Sequence, residues 1–255
     1  MRKLSTILLT GAALLITFTV QAQNQDTTKS GGWFSHNMHN FAGTAQIQST
    51  YRYTYFAPLN AVLHANGISS LSGNDIWINA SMNHVHNQWI LEDGIGFTPV
   101  SKSSAGGLEA RFNQYQGYLH LGYNVVQNPD LRVFPFAGVN LSAAVLNIRD
   151  NTGIKSISNF SDELLNSTAS KTFYQPNFGI ELGGGLDYLI KVADKTMDCF
   201  TIERSIPIGI RAGYYLNAAR GDWRTDGYKL EDGPNKNQSA FFVSLNIGLG
   251  YAVKK

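Results

Sequence analysis

The sequence predicts an all-β fold, an antiparallel up-and-down transmembrane β-barrel of about eight strands. Three observations predict it. Apolar residues recur at every second position through most of the chain. The alternating segments run about 10 to 18 residues, where strands of soluble proteins run about 5 to 6 and a tilted bilayer crossing needs about 9 to 11. The connections between them alternate between short and long, as periplasmic turns and outer loops do. Composition agrees. Of 255 residues only 15% are charged, while 25 are Gly and 12% are aromatic. Mean hydropathy is nevertheless −0.15, because Asn, Ser, Thr, Gln and Gly replace the missing charge. Such a chain is neither disordered nor a coiled coil.

Residues 1–22 read as a secretory signal peptide. Arg2 and Lys3 form its positive start, Leu4 to Val20 its apolar run, and Val20-Gln21-Ala22 its small-x-small cleavage site. No Cys follows that would carry a lipid anchor, and the single Cys199 forms no internal disulfide. Without Arg2 and Lys3 the chain holds 18 basic and 18 acidic residues. With no Lys/Arg cluster longer than a pair, no nucleic-acid partner is expected. Residues 23–44 read as a polar, Gly-punctuated periplasmic arm, and residues 45–255 as the barrel domain. After the leader, no run reaches about 18 apolar residues, so no transmembrane helix is expected.

The strands follow in order. In 46–55, Ile47, Tyr51, Tyr53 and Tyr55 alternate with Gln46, Gln48, Thr50, Arg52 and Thr54. Segments 75–86, 89–98, 108–126 and 131–147 alternate less cleanly. In 174–190, Phe178, Ile180, Leu182, Leu186, Tyr188 and Ile190 oppose Gln175, Asn177, Glu181 and Asp187. In 206–216, Ile206, Ile208, Ile210, Tyr214 and Leu216 oppose Gly209, Arg211 and Gly213. In 240–253, Phe241, Val243, Leu245, Ile247, Leu249, Tyr251 and Val253 oppose Ser244, Asn246, Gly248 and Gly250. The 191–204 connection is too long for a tight turn, but Asp194, Lys195 and Asp198 mark it as solvated.

The two faces differ in kind. One carries Leu, Ile, Val, Phe and Tyr; the other carries Gly, Asn, Ser, Thr and isolated charges. Glycines this dense on the polar face suit a narrow lumen where side chains compete for room. The apolar face is therefore expected to meet lipid, with Tyr and Trp at the strand ends forming interfacial girdles. A secreted soluble barrel with the apolar face inward is the alternative. Arg52, Glu92, Arg132, Glu181, Asp187 and Arg211 fall on the inner face. A hairpin folded symmetrically about residue 196 sets Glu181 opposite Arg211. A carboxylate and a guanidinium in a low-dielectric lumen need to pair, as structural filling or as a gate. Asp93 breaks the pattern by falling in the apolar phase, unless a bulge at Gly94 turns it inward. Glu109 and Arg111 also fall outward and are placed beyond the bilayer.

The last strand carries Asn246, Gly248, Tyr251 and Val253 in a pattern that resembles the signal read by the barrel-assembly machinery, with Val253 in place of the usual terminal aromatic. The segments GYLHLGYNVVQNPDLRVFPFAGVNL, IELGGGLDYLI, IGIRAGYYL and WRTDGYKLEDGPNKNQSAFFVSLNIGLGY are similar to the small, porin-like outer-membrane β-barrel family of Gram-negative bacteria of the Bacteroidetes type. That resemblance spans about residues 45–253. It implies an outer-membrane location and partners among outer-membrane lipid, lipopolysaccharide and the assembly machinery. It brings no settled activity and no catalytic residues.

Chemistry is sparse. His84 and His86 lie by the turn at Asn87 on the lipid face, and Ser81 is in the opposite phase, so a Ser-His-acid arrangement is not expected. His120 points inward as polar filling. His36, Met38 and His39 sit in the arm, where a metal site needs three or four converging ligands. No catalysis, metal or cofactor is expected. The 218–238 loop mixes Arg220, Asp222, Arg224, Asp226, Lys229, Glu231, Asp232 and Lys236 with Trp223 and Tyr228, a composition suited to a surface ligand. The leading function is a structural or surface-interaction role in the outer membrane. The alternatives are a narrow channel or hydrophobic-solute path, and a lipid-modifying enzyme.

Overall fold

The computed structural model describes residues 41–73, 75–151, 170–192, 194–197, 200–231, 233–234 and 239–254. The signal peptide, the arm histidines and Cys199 lie outside the described residues. Eight long strands close on themselves: β1 (Phe41–Arg52), β2 (Ile76–His86), β3 (Trp89–Phe97), β5 (Leu108–Tyr123), β6 (Leu131–Asp150), β7 (Lys171–Lys191), β9 (Phe200–Arg220) and β12 (Ala240–Lys254). Each pairs antiparallel with its neighbours, and β12 pairs β1 to complete the barrel. Among the described residues, shorter pieces join it: β4 (Ser101–Ala105), β8 (Lys195–Met197), β10 (Arg224–Thr225) and β11 (Tyr228–Lys229), with one helix, α1 (Ala57–Ala65).

Strand tilt follows from the register. A row of opposed residues from Tyr251 runs through Gly43, His84, Leu91, Leu121, Ala137, Leu182 and Tyr214 and returns to β12 at Phe241, ten residues from its start. With eight strands, that stagger fixes a tilt of roughly 40°. On the outer surface Phe241 and Tyr251 then lie ~25 Å apart along the barrel axis, the height of a lipid-facing belt.

The faces divide as the alternation demands. Ile208, Ile210, Tyr214 and Leu216 are exposed while Arg211 and Tyr215 are buried; Leu245, Ile247 and Leu249 are exposed while Ser244 and Asn246 are buried. Trp89, Tyr123, Tyr188 and Tyr251 ring one end of the exposed belt, and Tyr51, Phe97, Tyr115 and Phe241 the other. A closed barrel with an apolar outer belt and two aromatic girdles is the lipid-facing architecture of a bacterial outer-membrane protein. The chain is an outer-membrane β-barrel. Its periplasmic end carries the two-residue turn at Asn87-Gln88, the 124–130 connection and the C-terminal end of β12.

The inner glycines make room for rings. A Cβ on Gly179 would sit 2.1 Å from Tyr215, and one on Gly138 would sit 2.3 Å from His120. Bare backbone under an inward ring lets a narrow lumen hold large side chains.

Three expectations change. β1 runs Phe41–Arg52 rather than 46–55. The 99–107 connection is largely strand: β4 folds back on β5 through Gly106-Gly107, both at positive φ, as a type I′ turn requires. The long 191–204 connection contains β8, which backs onto β9.

Beyond the outer girdle, β5, β6 and β7 continue as a tall wall, and α1 packs against it. Pro58 lies in the first turn of α1, where a missing N–H costs nothing. Leu59 and Leu63 are buried with Phe56, Ile68, Leu71, Ala110, Phe112, Ala144, Leu146 and Trp223. Phe56 meets Phe112 edge-on at 5.0 Å. Asn60 fastens the segment after the helix: its Nδ2 donates to the Leu71 carbonyl at 3.0 Å and its Oδ1 accepts from the Leu71 amide at 2.9 Å. Ser101 and Ser103 of β4 donate to the carbonyls of Ser72 and Ser69, both at 2.7 Å. The first long loop is thus a folded cap.

Candidate functional site: the charged lumen

The inner face gathers two charge clusters. In the outer half, the Glu181 side chain on β7 receives three groups. Arg52 Nη1 approaches Oε1 at 3.4 Å, Asn140 Nδ2 donates to Oε1 at 2.8 Å, and His120 Nε2 lies 2.8 Å from Oε2. The Arg52 guanidinium also lies between the rings of Trp77 and Tyr215, at 4.2 and 4.5 Å, and donates to Gln116 at 3.1 Å. His120 is stacked between Tyr118 and Phe136 at 4.7 and 4.9 Å.

In the periplasmic half, Arg211 on β9 grips Asp187 with both terminal nitrogens, at 2.5 and 3.1 Å. Its Nε reaches Glu92 at 3.5 Å, and its Nη1 reaches the Asn246 side-chain oxygen at 3.3 Å. Asn246 also donates to Asp187 and to Gln46, each at 3.2 Å. Gln48 links the inner wall by donating to Glu92 and to Ser81. Fork-on-fork pairing of this kind is the geometry guanidinium and carboxylate favour.

Of the six predicted lumen charges, Arg52 (6% exposed), Glu92 (3%), Glu181 (5%), Asp187 (1%) and Arg211 (3%) are buried, and Arg132 is half-buried. The predicted pairing is corrected. Glu181 does not face Arg211. Glu181 stands opposite Tyr215, and Arg211 opposite Gly185. The hairpin is centred at 198 rather than 196, and β8 pairs with β9 near its tip. A two-residue shift of the centre moves each partner by four. Both residues therefore stay on the lumen side, but each meets a different ion. Arg52 and Asp187 fill the vacated roles. Nothing in local sequence encodes that exchange, since it depends on register around the whole barrel.

The gap left between the clusters is a cavity of about 20 Å³ among Gln48, Arg52, Glu92, His120, Glu181 and Arg211. That is room for about one water molecule.

The other predicted residues fall into place around this core. In the insertion-signal pattern, Asn246 points inward into the Arg211 cluster, while Tyr251 lies outward across Gly43. Gly248 lies on the inner side beside Gln46, and Val253 is half-buried near the end of β12. Trp223, expected as a ligand-facing aromatic, is instead part of the cap core, with its Nε1 donating to the Pro234 carbonyl at 3.2 Å. Asp93 is not turned inward: pairing is regular through Ser81 and Gly94, with no bulge. It stays on the lipid face, where its Oδ1 lies 3.2 Å from His84 Nε2. Glu109 and Arg111 lie on the tall wall above the outer girdle and pair with each other. The hydrogen bond from Arg111 holds the Glu109 carboxyl below the usual carboxylate range.

No protein-family model and no curated relative matches the sequence. Among solved structures, the chain is similar to a major outer membrane protein from Thermus thermophilus, at 10% identity and a TM-score of 0.39, over 82% of this chain and 98% of that one. It is similar to Ail, the attachment invasion locus protein of Yersinia pestis, at 12% identity and a TM-score of 0.36, over 84% and 99%. It is also similar to OprG from Pseudomonas aeruginosa, at 12% identity and a TM-score of 0.33, over 85% and 97%.

Proposed function

We propose that the chain is a non-conducting outer-membrane barrel, a rigid post whose filled lumen supports a folded surface cap. One observation carries this reading: the lumen is spanned by two ion clusters, and the cavity among them has a volume of only about 20 Å³. A hydrated ion needs a continuous wet path, and side chains of a barrel this narrow fill it. The cap, with the charged 218–238 segment whose Trp223 packs into its core, is the part offered to lipopolysaccharide or another surface ligand. The last strand, through Asn246, Gly248, Tyr251 and Val253, is the part read by the assembly machinery during insertion. The test is conductance of the purified protein in planar lipid bilayers. The expected trace is flat at all voltages; discrete current steps from the unmodified chain would replace this reading with a narrow channel.

A further inference from the structure

We propose that the outer face around His84 and Asp93 binds the primary ammonium of an ethanolamine phospholipid in the periplasmic leaflet. Among the described residues of the lipid-facing belt, Asp93 is the one carboxylate. Its depth follows from the register. Each step along a row climbs about 3 Å and each residue along a strand about 2.5 Å. His84 and Trp89 therefore lie within ~7 Å of the level of Tyr251, and Asp93 at ~14 Å, inside the belt. Between these two levels Asp93 Oδ1 and His84 Nε2 meet at 3.2 Å. The pair is only partly covered, with side-chain exposures of 34% for His84 and 29% for Asp93.

A carboxylate facing hydrocarbon is costly unless it is paired, and such a residue marks a site by default. Oδ1 is engaged by His84; among the described residues, Oδ2 meets no donor. The surroundings select the missing partner. Trp89 and Tyr123 stand edge-to-face at 5.1 Å on the same outer face, both exposed. Their rings attract a cation and sit at headgroup level. Met82, Leu91, Leu119 and Leu121 flank Asp93 and His84 as exposed apolar side chains, suited to acyl chains. A primary ammonium brings charge and three N–H donors. A choline headgroup brings charge without a donor, and a glycerol headgroup brings no cation. The site lies on the outer wall and works the same way whether or not the lumen conducts.

The full chain is reconstituted into vesicles of equimolar phosphatidylethanolamine, phosphatidylcholine and phosphatidylglycerol, re-extracted, and its retained lipid counted by native mass spectrometry. Ethanolamine lipid is expected at several-fold excess over the other two. Asp93→Leu, which suits a lipid-facing strand, is expected to equalise the three. Tyr188→Leu, on the girdle but away from the pair, keeps the excess. Equal retention by the unmodified chain overturns the proposal, as does an ethanolamine preference that survives Asp93→Leu. Efficient disulfide-linked dimers of Met82→Cys in the same vesicles also overturn it, because the face then belongs to a second copy.

Discussion

Below the outer girdle, the barrel interior holds the titratable side chains Arg52, Glu92, His120, Glu181, Asp187 and Arg211, packed among the rings of Phe134, Phe136, Tyr215 and Phe242; above it Ala110, Phe112, Ala144 and Leu146 turn inward, closed over by α1 and Trp223. The same strands build both regions. On β5, Leu119 and Leu121 point out and His120 points in, yet a few residues earlier Glu109 and Arg111 lie on the outer side and Ala110 and Phe112 point in. The strand has not changed; its solvent has. Within the bilayer the outer face must be apolar, which leaves polar groups to fill the interior. Once the wall rises into water, the sheet reverts to the rule of soluble proteins, with apolar residues covered and charges out. The height at which polarity flips marks the membrane surface.

The contrast predicts different failures. Arg211→Leu is expected to have the largest effect, about 3–5 kcal/mol lost in urea unfolding from lipid vesicles, because Asp187 and Glu92 are left buried without their cation. Replacing all three by apolar residues of similar volume should recover most of that loss, since a complete apolar filling has no orphaned charge. If the single variant is neutral, the lumen is packing rather than an ion network. Phe112→Ala is expected to cost a similar or smaller amount, about 3–5 kcal/mol for a buried ring, but locally. Hydrogen exchange should show the amides of α1 and β4 opening while those of β7 and β9 below the girdle stay protected. Loss of protection throughout would mean that cap and barrel are one cooperative unit. Asp222→Asn removes an exposed pair with Lys229, 3.1 Å apart. It is expected to change stability by under about 1 kcal/mol, an effect that vanishes at high salt.

Much of this was legible from alternation alone. Period two with Leu and Ile on one face and Gly, Asn and isolated charges on the other placed Glu181, Arg211, Arg52 and Asp187 in the lumen, because parity along a strand decides which side a residue faces. The cap was not legible as such: 57–74 has no long helical period, and α1 holds through tertiary burial of Leu59 and Leu63 rather than through its own length. Asp93 looked like an error in the pattern until β2 brought His84 beside it.

The chain's own residue order therefore settles the strands, their faces and the surface they turn to lipid, since these depend on neighbours two positions apart. Which charge meets which was decided only by closure. The partners of Glu181 and Arg211 come from β1, β3, β5 and β6 as well as from the adjoining strands, and a ten-residue stagger around eight strands sets who arrives at the same height. A shift of two residues at one hairpin tip leaves both faces unchanged and gives Glu181 and Arg211 different partners.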